Sequence, residues 1–389
     1  MQQLIIGIIG SGAMGAGIAQ VVATAGHQVH LLDQNAAALE KATASIAASL
    51  RKLAEKGKLT TEAAEAALTR LHPTATMQDF ADCGLVIEAI VEDLAVKQQV
   101  FKQVEAVVPD DCVLASNTSS LSITSIAAAC QRPERFVGIH FFNPAPLMQL
   151  VEVIPAVQTR TGLADEIREL VASWGKRPVL AQDTPGFIVN RVARPFYGEA
   201  IRILEEGIAD IATIDWALTE LGGFRMGPFA LMDFIGHDVN YRVTESVFTA
   251  FFYDPRYRPS FTQRRLFEAG YYGRKAGRGF YNYAPGDSQP TPTRDPELGQ
   301  RIVQRVVAML INEAAEALYL RVASAADLEL AMTTGVNYPK GLLAWADELG
   351  PAQVLATLDN LYHDYHEDRY RASVLLRRLA TSHQPFLPA

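Results

Sequence analysis

The feature that most restricts what this chain can fold into is its beginning. Residues 4–9, Leu-Ile-Ile-Gly-Ile-Ile, form an apolar run of the right length for a buried parallel strand. Gly10-Ser11-Gly12-Ala13-Met14-Gly15 follows at once and opens a helix expected to run to about Ala25. In that order Gly10 allows a tight turn, Gly12 lets a pyrophosphate approach the backbone, and Gly15 lets helix and strand pack closely. The anion then sits at the positive end of the helix. Glycine-rich turns also arise for purely conformational reasons, so the pattern alone is weak. The second strand, residues 28–32, strengthens it by ending in Asp33, where a carboxylate can accept both hydroxyls of a ribose. Asp33 repels a 2′-phosphate, and Gln34 and Asn35 offer no arginine to receive one. NAD is therefore expected over NADP and over FAD, with Gly10, Gly12, Ala13, Met14, Gly15 and Asp33 as its contacts.

Further strands are expected at residues 85–90, 113–116 and 136–142, alternating with helical segments, which predicts a doubly wound parallel sheet of the Rossmann type. The helix over residues 36–57 is amphipathic and ends in Arg51, Lys52, Lys56 and Lys58. That cluster reads equally as a solvated face or as a site for a phosphorylated substrate. At 389 residues the chain is too long for one ordinary core, and 49% apolar residues can fill two or three. A net charge of -8 provides no broad basic surface for nucleic acid. Cys83, Cys112 and Cys130 are odd in number and not closely spaced, which fits a reduced compartment and implies no catalytic thiol. No basic leader precedes the first strand and no apolar run is long enough for a bilayer, so a cytoplasmic protein without a membrane partner is expected.

Three segments at or just after expected strands carry the chemistry: Ser116-Asn117-Thr118-Ser119-Ser120, His140-Phe141-Phe142-Asn143-Pro144 and Leu150-Val151-Glu152-Val153. Strand ends in an open parallel sheet line its ligand crevice. An imidazole at His140 can act as a base near neutrality if it is oriented and its charge balanced. Glu152 sits between valines, an unusual core position unless it is paired. A His140 and Glu152 pair accounts for both, although a lone buried histidine is more often structural. His363 and His366, with Asp364 and Glu367, have helical spacing but read as a charged helix face, and no metal is expected.

These segments, together with Gly10-Ser-Gly-Ala-Met-Gly-Ala-Gly17, Glu88-Ala-Ile-Val-Glu92 and Asp183-Thr-Pro-Gly-Phe-Ile-Val-Asn-Arg191, resemble the 3-hydroxyacyl-CoA dehydrogenase family over nearly the whole chain. The resemblance implies reversible NAD-linked oxidation of a (3S)-3-hydroxyacyl-CoA to the 3-oxoacyl-CoA. It makes His140 the base and Glu152 the residue that holds it. It further implies that Ser119 and Asn190 contact the reacting oxygen and the acyl thioester. Glu92, Lys97, Ser119 and Asn143 would lie around the nicotinamide half of NAD, and Ser49 and Lys56, with Ser119, would meet the CoA substrate. Lys275, in Gly273-Arg-Lys-Ala-Gly-Arg-Gly-Phe-Tyr281, matches a further position on the cofactor side. Asn190 by itself would also serve as an ordinary helix-start residue.

From Gly186 onward helix-period patterns take over, giving an expected Rossmann-type domain over 1–185, a helical domain over 186–283, a linker over 284–298 and a second helical domain over 299–389. Residues 188–236 laid over 302–350 without a gap are identical at fifteen of forty-nine positions. These include the Arg191/Arg305, Glu199/Glu313, Gly227/Gly341, Asp233/Asp347 and Gly236/Gly350 pairs. Gln304 stands where Asn190 stands in the first copy, so the second copy is expected to have lost the catalytic contact and kept a packing face. The tandem is expected to form an internal pseudo-dimer in place of pairing between two chains through this face. Within the family, such a tandem resembles the longer bacterial 3-hydroxyadipyl-CoA dehydrogenases of phenylacetate degradation. A short-chain 3-hydroxybutyryl-CoA enzyme stays open, because these motifs describe only the reacting end. A non-catalytic NAD-binding sensor stays open too, opposed by the presence of Ser119, His140, Glu152 and Asn190. Arg225 stands where relatives usually carry proline, and reads either as an exposed turn residue or as a cation for a distal acyl carboxylate.

Overall fold

Eight short segments, most of them buried on both faces, account for the near-continuous apolar runs of the first half of the chain. They are β1 (Ile5–Ile9), β2 (Gln28–Leu32), β3 (Leu71–Thr74), β4 (Leu85–Glu88), β5 (Val113–Ser116), β6 (Phe136–Phe141), β7 (Leu150–Pro155) and β8 (Arg177–Leu180). The structure is a computed structural model that describes residues 4–387, and its contacts divide the chain into two units, one ending at Thr184 and one beginning at Pro185. In the first unit the strands form one sheet in the order β3-β2-β1-β4-β5-β6-β7-β8. Chain order reverses between β1 and β4, and there Ile9 lies in register with both Leu32 and Glu88, while Glu88 lies beside Ser116. Gly10, Asp33, Ala89 and Asn117 therefore leave the sheet along one edge, which is where a doubly wound fold holds its ligand.

The sheet departs from the expected parallel arrangement at one place. β7 runs antiparallel to β6, with His140 directly opposite Glu152. The intervening residues 142–149 are too few for a crossover, which needs a dozen or more. The helix Ala13–Thr24 follows the glycine turn. The helix Ala36–Glu55 begins where the Asn35 side chain accepts the Ala38 N–H, and Leu94–Glu105 begins where Asp93 does the same for Val96. Burial pushes the thiols of Cys83, Cys112 and Cys130 up to about 12, which leaves none of them reactive near neutrality.

The second unit is helical, and its two copies repeat down to individual caps. The Asp215 carboxylate accepts the Phe229 and Ala230 N–H groups, and Glu329 accepts those of Leu343 and Ala344. Asp233 likewise takes the Phe280 and Tyr281 N–H groups, as Asp347 takes those of Phe386 and Leu387. Contacts between the copies are reciprocal. Arg191 donates to Glu313 at 2.7 Å and Arg305 to Glu199 at 2.8 Å, and the Tyr257 and Tyr370 hydroxyls donate to the same two carboxylates at 2.6 and 2.7 Å. Such an exchange, in which each copy gives what it receives, is the pattern of a two-fold contact. The second copy opens with one long helix, Pro296–Tyr319, whose first turn is capped by Asp295, so the last three residues of the expected linker are already helical. No helix among the described residues is long and apolar enough to cross a membrane.

Candidate active site

The glycine turn is shaped by steric demands at Gly10 and Gly15. Gly10 has φ of 98°, and a Cβ there would also sit 2.6 Å from the Ala89 carbonyl oxygen. At Gly15 a Cβ would fall 1.8 Å from the Gly10 carbonyl oxygen, so the helix can approach β1 this closely only without a side chain. A Cβ on Gly12 would meet nothing within 4 Å; this residue begins the helix with no side-chain cap and no acidic residue in the first turn. The uncapped N–H groups of Ala13 and Met14 and the open space over Gly12 suit an incoming diphosphate. Asp33 is fixed beside the turn, its Oδ2 accepting the Ser11 N–H at 2.8 Å and hydroxyl at 2.7 Å and its Oδ1 accepting the Asn35 N–H at 2.9 Å. Burial would raise its pKa, but these hydrogen bonds outweigh it and hold the carboxyl below its ordinary value. A carboxylate so held suits a 2′-hydroxyl and opposes a 2′-phosphate, and the residues present fit NAD.

At the far side of β4, Glu88 is fully buried. Its Oε1 accepts the Ile90 N–H at 2.7 Å and the Lys97 ammonium at 2.5 Å, and its Oε2 accepts the Ser116 hydroxyl at 2.7 Å. Lys97, also buried, reaches Glu92 at 3.3 Å. Glu92 in turn accepts the Thr118 hydroxyl at 2.6 Å and the Ser119 and Ser120 N–H groups at 3.0 and 3.2 Å. Burial raises the Glu92 pKa less than Lys97 and these donors lower it, so the residue stays ionised. The chain Glu88, Lys97, Glu92 thereby fixes the backbone that carries Ser119.

His140 and Glu152 meet across the antiparallel pair, Nδ1 to Oε2 at 2.6 Å, with the carboxylate fully buried. An ionised carboxylate can only accept, which assigns the ring proton to Nδ1 and the acceptor lone pair of the neutral imidazole to Nε2. Phe142 packs against the ring at 4.5 Å, and the Asn117 side chain accepts the Phe141 N–H at 2.8 Å, tying the end of β5 to the strand bearing His140. Asn143 is exposed in the following loop. Lys176, buried, donates to the carbonyls of Ala145 and Met148 in that loop at 2.5 and 2.8 Å, and burial lowers its pKa to about 8.

The first unit thus brings Gly10, Gly12, Ala13, Met14, Gly15 and Asp33 to one turn, and Glu92, Lys97, Ser119, His140, Asn143 and Glu152 to the same sheet edge. Ser49 lies in the helix that follows β2 and the exposed Lys56 is the residue just past its end, with Arg51 meeting Glu65 at 3.5 Å. Asn190 and Lys275 lie in the second unit. Asn190 is half-buried in the short helix Val189–Val192, and Lys275 pairs with Asp238 at 2.6 Å. Arg225 is exposed in the turn ahead of the helix Pro228–Ile235. Sequence reasoning quoted Glu88, Asn117 and Asp183 within motifs without giving them a role, and it passed over Lys176. Asp183 accepts the Ile123 and Thr124 N–H groups and so caps the helix after Ser120. Glu88 carried the same signal as Glu152, a charge in an apolar strand. Lys176 carried none, because its partners are carbonyl groups.

Comparison with known proteins places this geometry. Residues 5–184 match the 3-hydroxyacyl-CoA dehydrogenase NAD binding domain, and residues 186–283 and 302–385 match the C-terminal domain of 3-hydroxyacyl-CoA dehydrogenase. The chain is 40% identical to the 3-hydroxyadipyl-CoA dehydrogenase of Escherichia coli strain K12, over 96% of this chain and 97% of the relative. A probable 3-hydroxybutyryl-CoA dehydrogenase of Deinococcus radiodurans is 47% identical, matching 99% of its own length to 71% of this chain. A crystal structure described as 3-hydroxybutyryl-CoA dehydrogenase from Escherichia coli K12 superposes with a TM-score of 0.93 and 39% identity, over 98% of this chain and 99% of that one.

Proposed function

This chain belongs to the 3-hydroxyacyl-CoA dehydrogenase family, and we propose that it oxidises 3-hydroxyadipyl-CoA, among (3S)-3-hydroxyacyl thioesters, to the 3-oxoacyl-CoA. It is an NAD-dependent oxidoreductase. Bound NAD supplies the hydride acceptor. His140, held through Nδ1–H by Glu152, offers Nε2 to the 3-hydroxyl and takes its proton as the alcohol carbon is oxidised, then returns it in the reverse direction. Glu152 stabilises the imidazolium formed in that step. Ser119 and Asn190 contact the reacting oxygen and the thioester. Glu92, Lys97, Asn143 and Lys275 serve the cofactor side, and Ser49 and Lys56 the CoA. The observation that supports this reading most is the buried His140 and Glu152 pair at 2.6 Å, set on the sheet edge that carries the dinucleotide turn.

The adipyl preference rests on the Escherichia coli relative of that name, which matches this chain through both helical copies. A 3-hydroxybutyryl preference is the second reading, since the crystal structure described by that activity covers 98% of this chain. The functional division follows residues 1–185, 186–283, the linker 284–298 and 299–389. In this division the last copy acts as the internal partner of the first, in a cytoplasmic enzyme. The test is kinetic. His140→Gln lowers turnover at least about 10²-fold while NAD titration by nucleotide fluorescence is nearly unchanged, and Glu152→Gln slows turnover less. Full turnover in His140→Gln removes the base assignment. The ratio of kcat/KM for 3-hydroxyadipyl-CoA over 3-hydroxybutyryl-CoA decides between the two acyl readings.

A further inference from the structure

A cleft of about 430 Å³ lies at the seam between the two helical copies, lined by none of the residues assigned to catalysis. Its size is that of an ordinary small-ligand pocket. Arg202, Arg258 and Arg264 from the first copy and Arg369 from the second converge on it, with Glu205 as the lining carboxylate. Three of these cations meet their carboxylates only at 3.3 Å or more. Arg202 meets Glu199 only at 3.8 Å, and Arg258 and Arg369 share Glu367 at 3.9 and 3.3 Å. The Arg369 side chain is 6% exposed, and its buried Nε has no hydrogen-bond partner. Arg264, at the rim, is paired with Glu268 at 2.7 Å. Burial, opposed by Glu199, lowers the Arg202 pKa, and the neighbouring Arg369 and Arg258 guanidinium groups lower it further, which is the mark of crowded like charges.

Aromatic rings form the remaining wall. Phe248 and Tyr241 line the cleft, Tyr253 packs edge-on to Phe248 at 5.4 Å, and Phe261 stands at the mouth with 75% of its surface exposed. An exposed ring beside guanidinium groups suits a flat heteroaromatic ring joined to an anion.

The second copy provides an internal control. The pseudo-symmetric position holds Glu316 for Arg202 and Val374 for Phe261, and the arginine matching Arg264, Arg377, is engaged by both oxygens of Asp359. Packing needs are shared by the two copies, so they explain neither the extra cation nor the exposed ring of the first.

We propose that this cleft binds the adenosine diphosphate group, its phosphates among Arg202, Arg258, Arg264 and Arg369 and its base against Phe248 and Phe261. Two sources carry that group, free ADP and the adenosine end of CoA. Calorimetric titration of ADP into the full-length enzyme saturated with NADH, which keeps the dinucleotide turn filled, tests the proposal. Saturable binding at about one ADP per chain is expected. Arg264→Gln and Phe261→Ala, both at exposed side chains, should each weaken it about tenfold. The double variant should lose it while keeping its turnover on a saturating 3-hydroxyacyl-CoA. CoA titrations separate the sources: two CoA sites in the native enzyme and one in the double variant identify CoA, and one site in both identifies the free nucleotide. No saturable ADP binding, or equal affinity in the double variant, overturns the proposal.

Discussion

In the first helical copy the chain reaches Arg191 through a left-handed turn at Gly186 and Phe187, with φ of 75° and 48°, and through the short helix that carries Asn190. In the second copy the residues matching that stretch lie inside the long helix Pro296–Tyr319, where Gln304 is exposed to solvent. One residue further on the two copies agree again, since Arg191 and Arg305 each cross to the other copy's buried glutamate. The difference separates two kinds of constraint. The Arg and Glu pairs that join the copies are kept in both, where loss of one partner would strand a charge in the core. The stretch just ahead of them differs in backbone, a left-handed turn and short helix in the first copy and continuous helix in the second.

Removing the second copy is the most severe way to break this comparison. A chain ending near Pro290 strips Glu313 from Arg191 and Arg256 and uncovers the helix Arg194–Glu205, whose Ile201 and Ile203 are buried in the intact protein. The expected product is a dimer pairing two first copies, or an aggregate, seen by light scattering after size exclusion. A stable, active monomer would show that the second copy does not act as a partner.

The next prediction sets the two buried glutamates against each other. Glu313→Ala leaves buried Arg191 and Arg256 without their carboxylate and should lower unfolding free energy by about 3–5 kcal/mol, whereas Glu199→Ala leaves Arg305 its pairing with Glu206 and should cost less. Only Glu313→Ala should also lower kcat at a temperature where both variants are folded, since Arg191 directly follows Asn190. Equal kcat in the two variants would remove Asn190 from the catalytic account.

What was legible in the sequence follows the range of the interactions. The glycine turn and Asp33 could be read because strand, turn and helix are contiguous. Glu152 could be read because a charge in an apolar strand demands a partner. The duplication could be read because both copies keep one spacing. The antiparallel step from β6 to β7 could not, since two buried strands show the same apolar run whichever way they point. The Glu88, Lys97 and Ser116 cluster joins residues from two strands and a helix, and none of the three predicts the others. For the arginine and glutamate pairs the sequence marks which positions correspond, but not that each bonds across the seam rather than within its own copy.

The smallest predicted effect concerns the capping carboxylates Asp215 and Glu329. Burial raises the Asp215 pKa to about 6, against the lowering by the Phe229 and Ala230 N–H groups and the Tyr281 hydroxyl, while Asp233 adds to the rise. Burial raises Glu329 as well, against the Leu343 and Ala344 N–H groups, with Asp347 adding. A folded pKa above the ordinary value means that the unfolded chain ionises first as pH rises. The stability attached to Asp215 is then whole below about pH 4, falls between about 4 and 6, and is level above, a loss of about 3 kcal/mol. Asp215→Asn keeps a side-chain acceptor and removes the titration. The stability of the native enzyme minus that of Asp215→Asn should therefore fall by about that amount between pH 4 and pH 7, measured by denaturant unfolding. Glu199, Glu206 and Glu313, in which arginine outweighs burial, slope the opposite way but cancel in this difference. Glu329→Gln should give a change of the same sign, since it occupies the same position in the second copy. A difference that grows with pH in either variant would mean that the cap is an easily ionised carboxylate, and that the two copies do not share this feature of their plan.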